Sequence, residues 1–260
     1  HDLAFGDVDN DGNSELVGLS QESETVFYYD VPTDPYQSPW PSEQLTVVSR
    51  DVDVEGLAIV DIDGDGDNEL IAGTAIYRQA DTAVGRERSS SQPVEADGGE
   101  ESALAPAWTR ENVITGWDWT RVAVGDIDGD GELEIVFAEG DSPTYGDGMG
   151  RVGWFDPPDW EPHILNDDLY CPHTVQLADF DGNGSLDIYV AEMGLGENDE
   201  SAQHVLFHNR GGGEFREEIV ETAIPTHEAK AVDVDGDGRP DIIGKSFEPN
   251  AHVDVWYNRS

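Results

Sequence analysis

Short apolar runs recur along the chain, and each is broken by a stretch of acids and glycine. Runs at Leu57–Val60, Val122–Val124 and Val175–Leu177 precede such stretches, and Leu70–Ile71, Ile135–Phe137, Ile188–Val190 and Ile242–Ile243 follow them. A third run comes next in most units, at Thr25–Tyr29, Arg151–Phe155, His204–His208 and Val253–Tyr257. A fourth lies at Gln44–Val48, Glu111–Ile114, Glu161–Leu165 and Phe215–Val220. β-Branched and aromatic residues fill these runs and no window keeps a helical period, so each is predicted as a strand. Four short strands per unit, repeated along the chain, predict an all-β fold: a β-propeller with five four-stranded blade repeats. Since sheet edges must be covered, the five blades either close a ring or form part of a larger one.

The acidic stretches share one pattern: acids at positions 1, 3, 5 and 9, with glycine at 6. They start at Asp7, Asp61, Asp126, Asp179 and Asp233, which are 54, 65, 53 and 54 residues apart. The second unit is the longest, and its excess falls at about 79–106, a polar segment containing Ser89–Ser91 and Glu95–Glu101. The repeat resumes in phase afterwards, so residues 1–260 are predicted to form a single domain with this segment as a mobile acidic surface insertion.

Acids at positions 1, 3 and 5 put three oxygens on the inner side of a tight turn. A backbone carbonyl at position 7 and the acid at position 9 complete the cage, and the glycine permits the bend. Such a flexible set of hard oxygens suits Ca2+ better than Mg2+ or Zn2+. The predicted ligands are Asp7, Asp9, Asp11, Asn13 and Glu15; Asp61, Asp63, Asp65, Asp67 and Glu69; Asp126, Asp128, Asp130, Glu132 and Glu134; Asp179, Asp181, Asn183, Ser185 and Asp187; and Asp233, Asp235, Asp237, Arg239 and Asp241. Asn13, Asp67, Glu132, Ser185 and Arg239 enter through their carbonyls. Asn183 stands where the other loops have an acid, so the fourth site is expected to be the weaker one. The last acid falls at position 9 and strands flank the loop, which separates it from an EF-hand.

These loops resemble the FG-GAP/VCBS family of calcium-binding propeller repeats, found in integrin α-subunit heads and many secreted microbial proteins. The resemblance implies about five Ca2+ sites on the residues above and an extracellular or cell-surface location. More loosely, Cys171–Gln176, Val190–Met193 and His227–Glu228 resemble the propeller of the fungal aldos-2-ulose dehydratases, which would imply chemistry on a sugar.

Charge changes the picture further. The chain has 57 Asp and Glu against 13 Lys and Arg, a formal charge of −44. Five Ca2+ would return only ten of these charges. The remainder fits a halophilic protein working in molar salt, with an acidic surface for a cationic partner as the alternative. Nucleic acid is excluded as a partner by repulsion, and no apolar run is long enough for membrane insertion. One cysteine, Cys171, rules out an internal disulfide.

Six residues before each loop lies the start of the preceding strand, giving His1, Glu55, Thr120, His173 and His227. Equivalent positions in a propeller ring its axis, so these side chains should meet at the channel mouth, on the face away from the acidic loops. The returning strands bring Glu192 and Lys245 to the same face, while Trp117, Trp119 and Tyr145 can rim it. His1, Glu55, His173, Glu192 and His227 could hold a transition metal or a ligand. For acid–base chemistry the candidates are His173, His227 and Lys245. Two functions remain open. One is a calcium-stabilised module binding a carbohydrate or protein. The other is a lyase or dehydratase acting on a sugar or uronate. The sequence does not decide oligomeric state.

Overall fold

Each acidic stretch becomes a loop between two antiparallel strands, because its acids and glycines cannot continue a ladder that its β-branched flanks begin. The computed structural model describes residues 2–80, 108–194, 200–246 and 252–259. His1 and nearly all of the predicted insertion lie outside them. Among the described residues are nineteen strands, a 3₁₀ turn at Ser42–Gln44 and no α-helix.

The first sheet holds β1 (Leu3–Gly6), β2 (Glu15–Ser20), β3 (Thr25–Asp30) and β4 (Leu45–Arg50). The second holds β5 (Leu57–Val60), β6 (Glu69–Ala72), β7 (Ala75–Gln79) and β8 (Trp108–Asn112). The third holds β9 (Thr120–Gly125), β10 (Glu134–Glu139), β11 (Gly150–Asp156) and β12 (Glu161–Leu169). In the fourth are β13 (Thr174–Ala178), β14 (Asp187–Ala191), β15 (Gln203–Asn209) and β16 (Phe215–Thr222). The fifth has three strands, β17 (Glu228–Val232), β18 (Asp241–Lys245) and β19 (Val253–Trp256). Every sheet is an antiparallel meander.

One strand is displaced from its predicted position. The run Glu111–Ile114 contributes only its first two residues to β8, which instead begins at Trp108 opposite Gln79. Val113 leaves the ladder, donates its amide to Thr74 O and packs with Ile114 against Ile62, Ile71 and Phe137. Its β-branched side chain fits a core as well as a strand, so composition could not separate the two.

The second strand of each sheet is the most buried, and all six residues of β10 are inside. The fourth strands β8, β12 and β16 are mostly exposed, and β4 is half-buried. The first strands pack in series: β1 on β5, β5 on β9, β9 on β13 and β13 on β17. Four apolar clusters fill the spaces between successive sheets. Val17, Tyr28, Leu70 and Tyr77 join the first to the second. Ile71, Ile76, Phe137 and Phe155 join the second to the third. Val136, Trp154, Val190 and Phe207 join the third to the fourth, and Tyr189, Leu206 and Ile242 the fourth to the fifth. Among the described residues no such cluster joins the fifth sheet to the first. Leu3 and Phe5 are 70% and 67% exposed, and Val253 is 66% exposed.

Candidate functional sites at the two strand ends

The five acidic loops connect the first and second strands of their sheets and share one hydrogen-bond scheme. The position-9 acid opens the second strand and is buried: Glu15, Glu69, Glu134, Asp187 and Asp241 are each at most 4% exposed. It accepts the amide of position 2, from Val8, Ile62, Ile127, Phe180 and Val234, at 2.5–3.0 Å. The position-5 side chain accepts the amide of position 7 at 2.8–3.0 Å, in Asp11–Asn13, Asp65–Asp67, Asp130–Glu132, Asn183–Ser185 and Asp237–Arg239. The first acid takes amides from across the loop, as Gly12 to Asp7 and Gly184 to Asp179, both at 3.0 Å. Position 6 is left-handed throughout, from Gly238 at φ 89° to Gly66 at 100°. Position 4 is left-handed as well, with glycine in four loops and Asn10 at φ 61° in the first.

This scaffold fits a cation. Carboxylate oxygens of Asp7, Asp9 and Glu15 lie within 4.8 Å of one another, as do those of Asp61, Asp63 and Glu69, and of Asp126, Asp128 and Glu134. Burial, with neighbouring loop aspartates adding to it, pushes the carboxyls of Glu15, Glu69 and Glu134 up to about 7. Burial likewise raises Asp187. Asp61 Oδ1 and Glu134 Oε1 are buried without a hydrogen-bond partner. Buried carboxylate oxygens lacking partners are costly unless an ion satisfies them. The loops are not equal, however. In the fifth, Arg259 reaches Asp235 Oδ2 at 2.8 Å and Arg239 pairs with Asp237, so two cations already occupy part of its charge. Arg259 follows the last strand, far from the loop pattern, so the pattern could not reveal it.

The opposite strand ends gather the residues predicted at the channel mouth. His173 and His227 stack with ring centroids 4.1 Å apart. His173 Nδ1 donates to His227 O at 2.8 Å, and Lys245 Nζ donates to His227 Nδ1 at 2.9 Å. Burial, then the charge of Arg121, holds His173 down to about 2; burial and Lys245 hold His227 down to about 4. Both imidazoles are therefore neutral at neutral pH. Arg121 crosses the mouth, with Nη1 3.1 Å from Asp2 Oδ2 and 3.2 Å from Glu55 Oε2, and Nη2 3.0 Å from Glu228 Oε2. Four sheets thus meet at one guanidinium.

The remaining predicted mouth residues divide. Glu55 joins the cluster, whereas Glu192 turns away: its two carboxylate oxygens accept the amides of Tyr170 and Gln203 at 2.7 and 2.8 Å, pinning a strand end. Trp117 is core, packed on Phe155 beneath Arg151. Thr120 is buried, and its carbonyl lies against Gly56. Cys171 is buried, and burial raises its thiol.

A pocket of about 530 Å³ opens here, lined among others by Glu55, Trp119, Asp141, Tyr145, His173 and His227. Trp119 and Tyr145 face each other with centroids 5.6 Å apart. Sequence reasoning missed Asp141, Gln21, Glu22 and Asp53 in this wall. Asp141 follows β10 by two residues, so tracing each second strand past its end would have found it. Burial, with Glu55 adding to it, raises Asp141 to about 7.

Among the described residues no helix is long and apolar enough to cross a membrane. No curated protein matches the chain in sequence. In structure it is similar to the V. cholerae biofilm matrix protein Bap1, at 14% identity and a TM-score of 0.47 over 97% of this chain. The match covers 36% of that protein, so the chain spans little more than a third of its length. Residues 179–244 match the FG-GAP-like repeat family, a segment running from the first acid of the fourth loop through the fifth loop and into β18.

Proposed function

We propose that the chain is a calcium-braced β-propeller module, extracellular in type, whose mouth pocket binds a carbohydrate. The series packing of the five first strands supports the propeller reading, and the shared loop scheme with its unpartnered buried oxygens supports calcium. In each loop the side chains at positions 1, 3, 5 and 9, all acids except Asn183, would hold the ion, which supplies charge neutralisation between two strands. The large acidic excess outside the loops suits molar salt.

The observation carrying the ligand assignment is the Trp119–Tyr145 pair beside a wall of carboxylates and imidazoles. Aromatic faces stack on the apolar side of a sugar ring, while carboxylates and imidazoles take its hydroxyls, and the volume falls within the usual range for small ligands. Glu22, Asp53, Glu55 and Asp141 make the lining acidic, which favours a neutral or amino sugar over a uronate. Acid–base chemistry by the two histidines is the weaker reading. A general base works best with a pKa near the operating pH, and both His173 and His227 are pushed well below it.

Calorimetric titration with neutral, amino and acidic oligosaccharides, in saturating Ca2+ and high salt, tests the assignment. Binding of a neutral or amino sugar should disappear in Trp119→Ala while the melting midpoint stays put. Binding that survives Trp119→Ala would move the site elsewhere.

A further inference from the structure

Three ligand-type side chains in the mouth pocket come from three different sheets. Glu55 precedes β5, Asp141 follows β10 and His173 precedes β13. All three are buried, at 1%, 7% and 4% exposure. One ligand atom of each lies within 4.8 Å of the other two. His173 Nε2 is 3.7 Å from Glu55 Oε2 and 3.7 Å from Asp141 Oδ1.

The tautomer of His173 gives this cluster its meaning. Nδ1 sits 2.8 Å from a carbonyl oxygen, His227 O, which can only accept, so Nδ1 carries the hydrogen. Nε2 of the neutral ring then presents a lone pair to two carboxylates. The separations are too long for hydrogen bonds, and among the described residues neither Nε2 nor the Asp141 carboxylate has one. His173 Nε2 and the Asp141 carboxylate thus face each other without a hydrogen bond, and a cation between them would give both a partner.

We propose that Glu55, Asp141 and His173 hold one divalent transition-metal ion, of the Zn2+ type, in the wall of the mouth pocket. In a tetrahedral site with metal–ligand distances of about 2.1 Å, ligand atoms lie about 3.4 Å apart. The two separations from His173 Nε2 therefore need to close by only a few tenths of an ångström, and the Glu55 and Asp141 oxygens lie within 4.8 Å of each other. An imidazole with two carboxylates selects Zn2+ or a similar ion over Ca2+ and Mg2+, which prefer oxygen alone. The bond from His173 Nδ1 to His227 O is the outer contact that ligating histidines characteristically make, fixing ring and tautomer. Arg121 Nη1 orients Glu55 by binding the same oxygen at 3.2 Å. Three protein ligands would leave a fourth position for a hydroxyl of a molecule bound in the pocket that all three line. The site stands on its own three atoms whatever fills the pocket, so metal binding and sugar binding can fail separately.

The test uses the full chain in saturating Ca2+, cleared of other metals by dialysis and then equilibrated with Zn2+. One Zn2+ per chain should bind to this site. Asp141→Asn and His173→Gln should each weaken it at least about tenfold, with the calcium-dependent melt unchanged. X-ray absorption of the Zn2+-loaded wild type should show a nitrogen and oxygen shell with one imidazole, a result independent of whether either variant folds. Three outcomes overturn the proposal: no Zn2+ bound in the presence of Ca2+, a shell without imidazole, or Zn2+ lost in His208→Gln but kept in both mouth variants. The last would place the ion at Asp181, Asp187 and His208, another cluster with ligand atoms within 4.8 Å.

Discussion

The two ends of the first strands are built on opposite plans. At the loop end, the acids that converge in each site fall within nine consecutive residues, and the arrangement recurs five times with the same amide-to-carboxylate bonds. At the mouth end there is one site, and its parts are distant in sequence: Arg121 and Asp2, bonded at 3.1 Å, are 119 residues apart. A local site is copied whenever its repeat is copied. A site built across the sheets is made once, by whatever different residue each repeat contributes, and so can diverge without harming the repeats. That difference is why the loops read as bracing and the mouth as the place of specific recognition.

The largest effect should come from emptying the loop end. Chelating Ca2+ at constant molar salt removes ~2.7 kcal/mol per site that had been held at a hundredfold excess over Kd, and the melting midpoint should fall steeply. Mouth variants should leave this chelator shift intact. A midpoint indifferent to chelator would break the comparison at its first term.

Arg121→Met attacks the mouth end. It leaves Glu55 buried beside Asp2 and Glu228 without their shared cation. Removing one partner of a buried ion pair costs 3–5 kcal/mol; because Asp2 and Glu228 keep some solvent, about 3 kcal/mol is expected in urea unfolding. A loss below about 1 kcal/mol would show that the mouth is a solvated surface cluster.

A glycine pair compares the two ends directly. Gly66 in the second loop and Gly56 at the mouth both have left-handed backbones, φ 100° and 82°. A Cβ on Gly66 meets nothing within 4 Å, whereas on Gly56 it would lie 2.3 Å from Thr120 O of the next sheet. Gly66→Ala should therefore cost only the conformational term, about 1–2 kcal/mol. Gly56→Ala adds a backbone clash worth roughly 1–3 kcal/mol more. Equal losses in denaturant unfolding would mean that the sheets at the mouth can part freely.

The smallest effect comes from a group belonging to neither end. His204, 1% exposed, receives Tyr189 OH at Nδ1 and donates from Nε2 to Ile224 O. Burial depresses its pKa below the ordinary 6.5, against the pull of Glu221 and Asp254. The unfolded chain then binds a proton that the folded chain refuses. This contribution lowers stability as pH falls below about 6.5, by at most ~1.4 kcal/mol per unit. His204→Gln should flatten the acid side of the stability–pH curve, measured in saturating Ca2+. An unchanged slope would show that His204 titrates normally.

Much of the fold was legible because its information is short-range. The alternation around each loop located the strands, and the fixed positions of acid and glycine located the turns, since a two-residue carboxylate spacing and a left-handed backbone are properties of a few adjacent residues. Glu111–Ile114 marks the limit: Val113 has strand character, but its side chain was claimed by the core between two sheets. At the mouth, register alone brought Glu55, His173 and His227 to one face, because equivalent strand starts stay equivalent in any regular repeat. Register could not say that Glu192 would bind the amides of Tyr170 and Gln203, that Arg239 and Arg259 would enter the fifth loop, or that Asp141 would arrive 3.7 Å from His173 Nε2. Those choices depend on which side chains from different sheets arrive within a few ångströms of one another. Packing between sheets decides that, and no pattern along a single sheet records it.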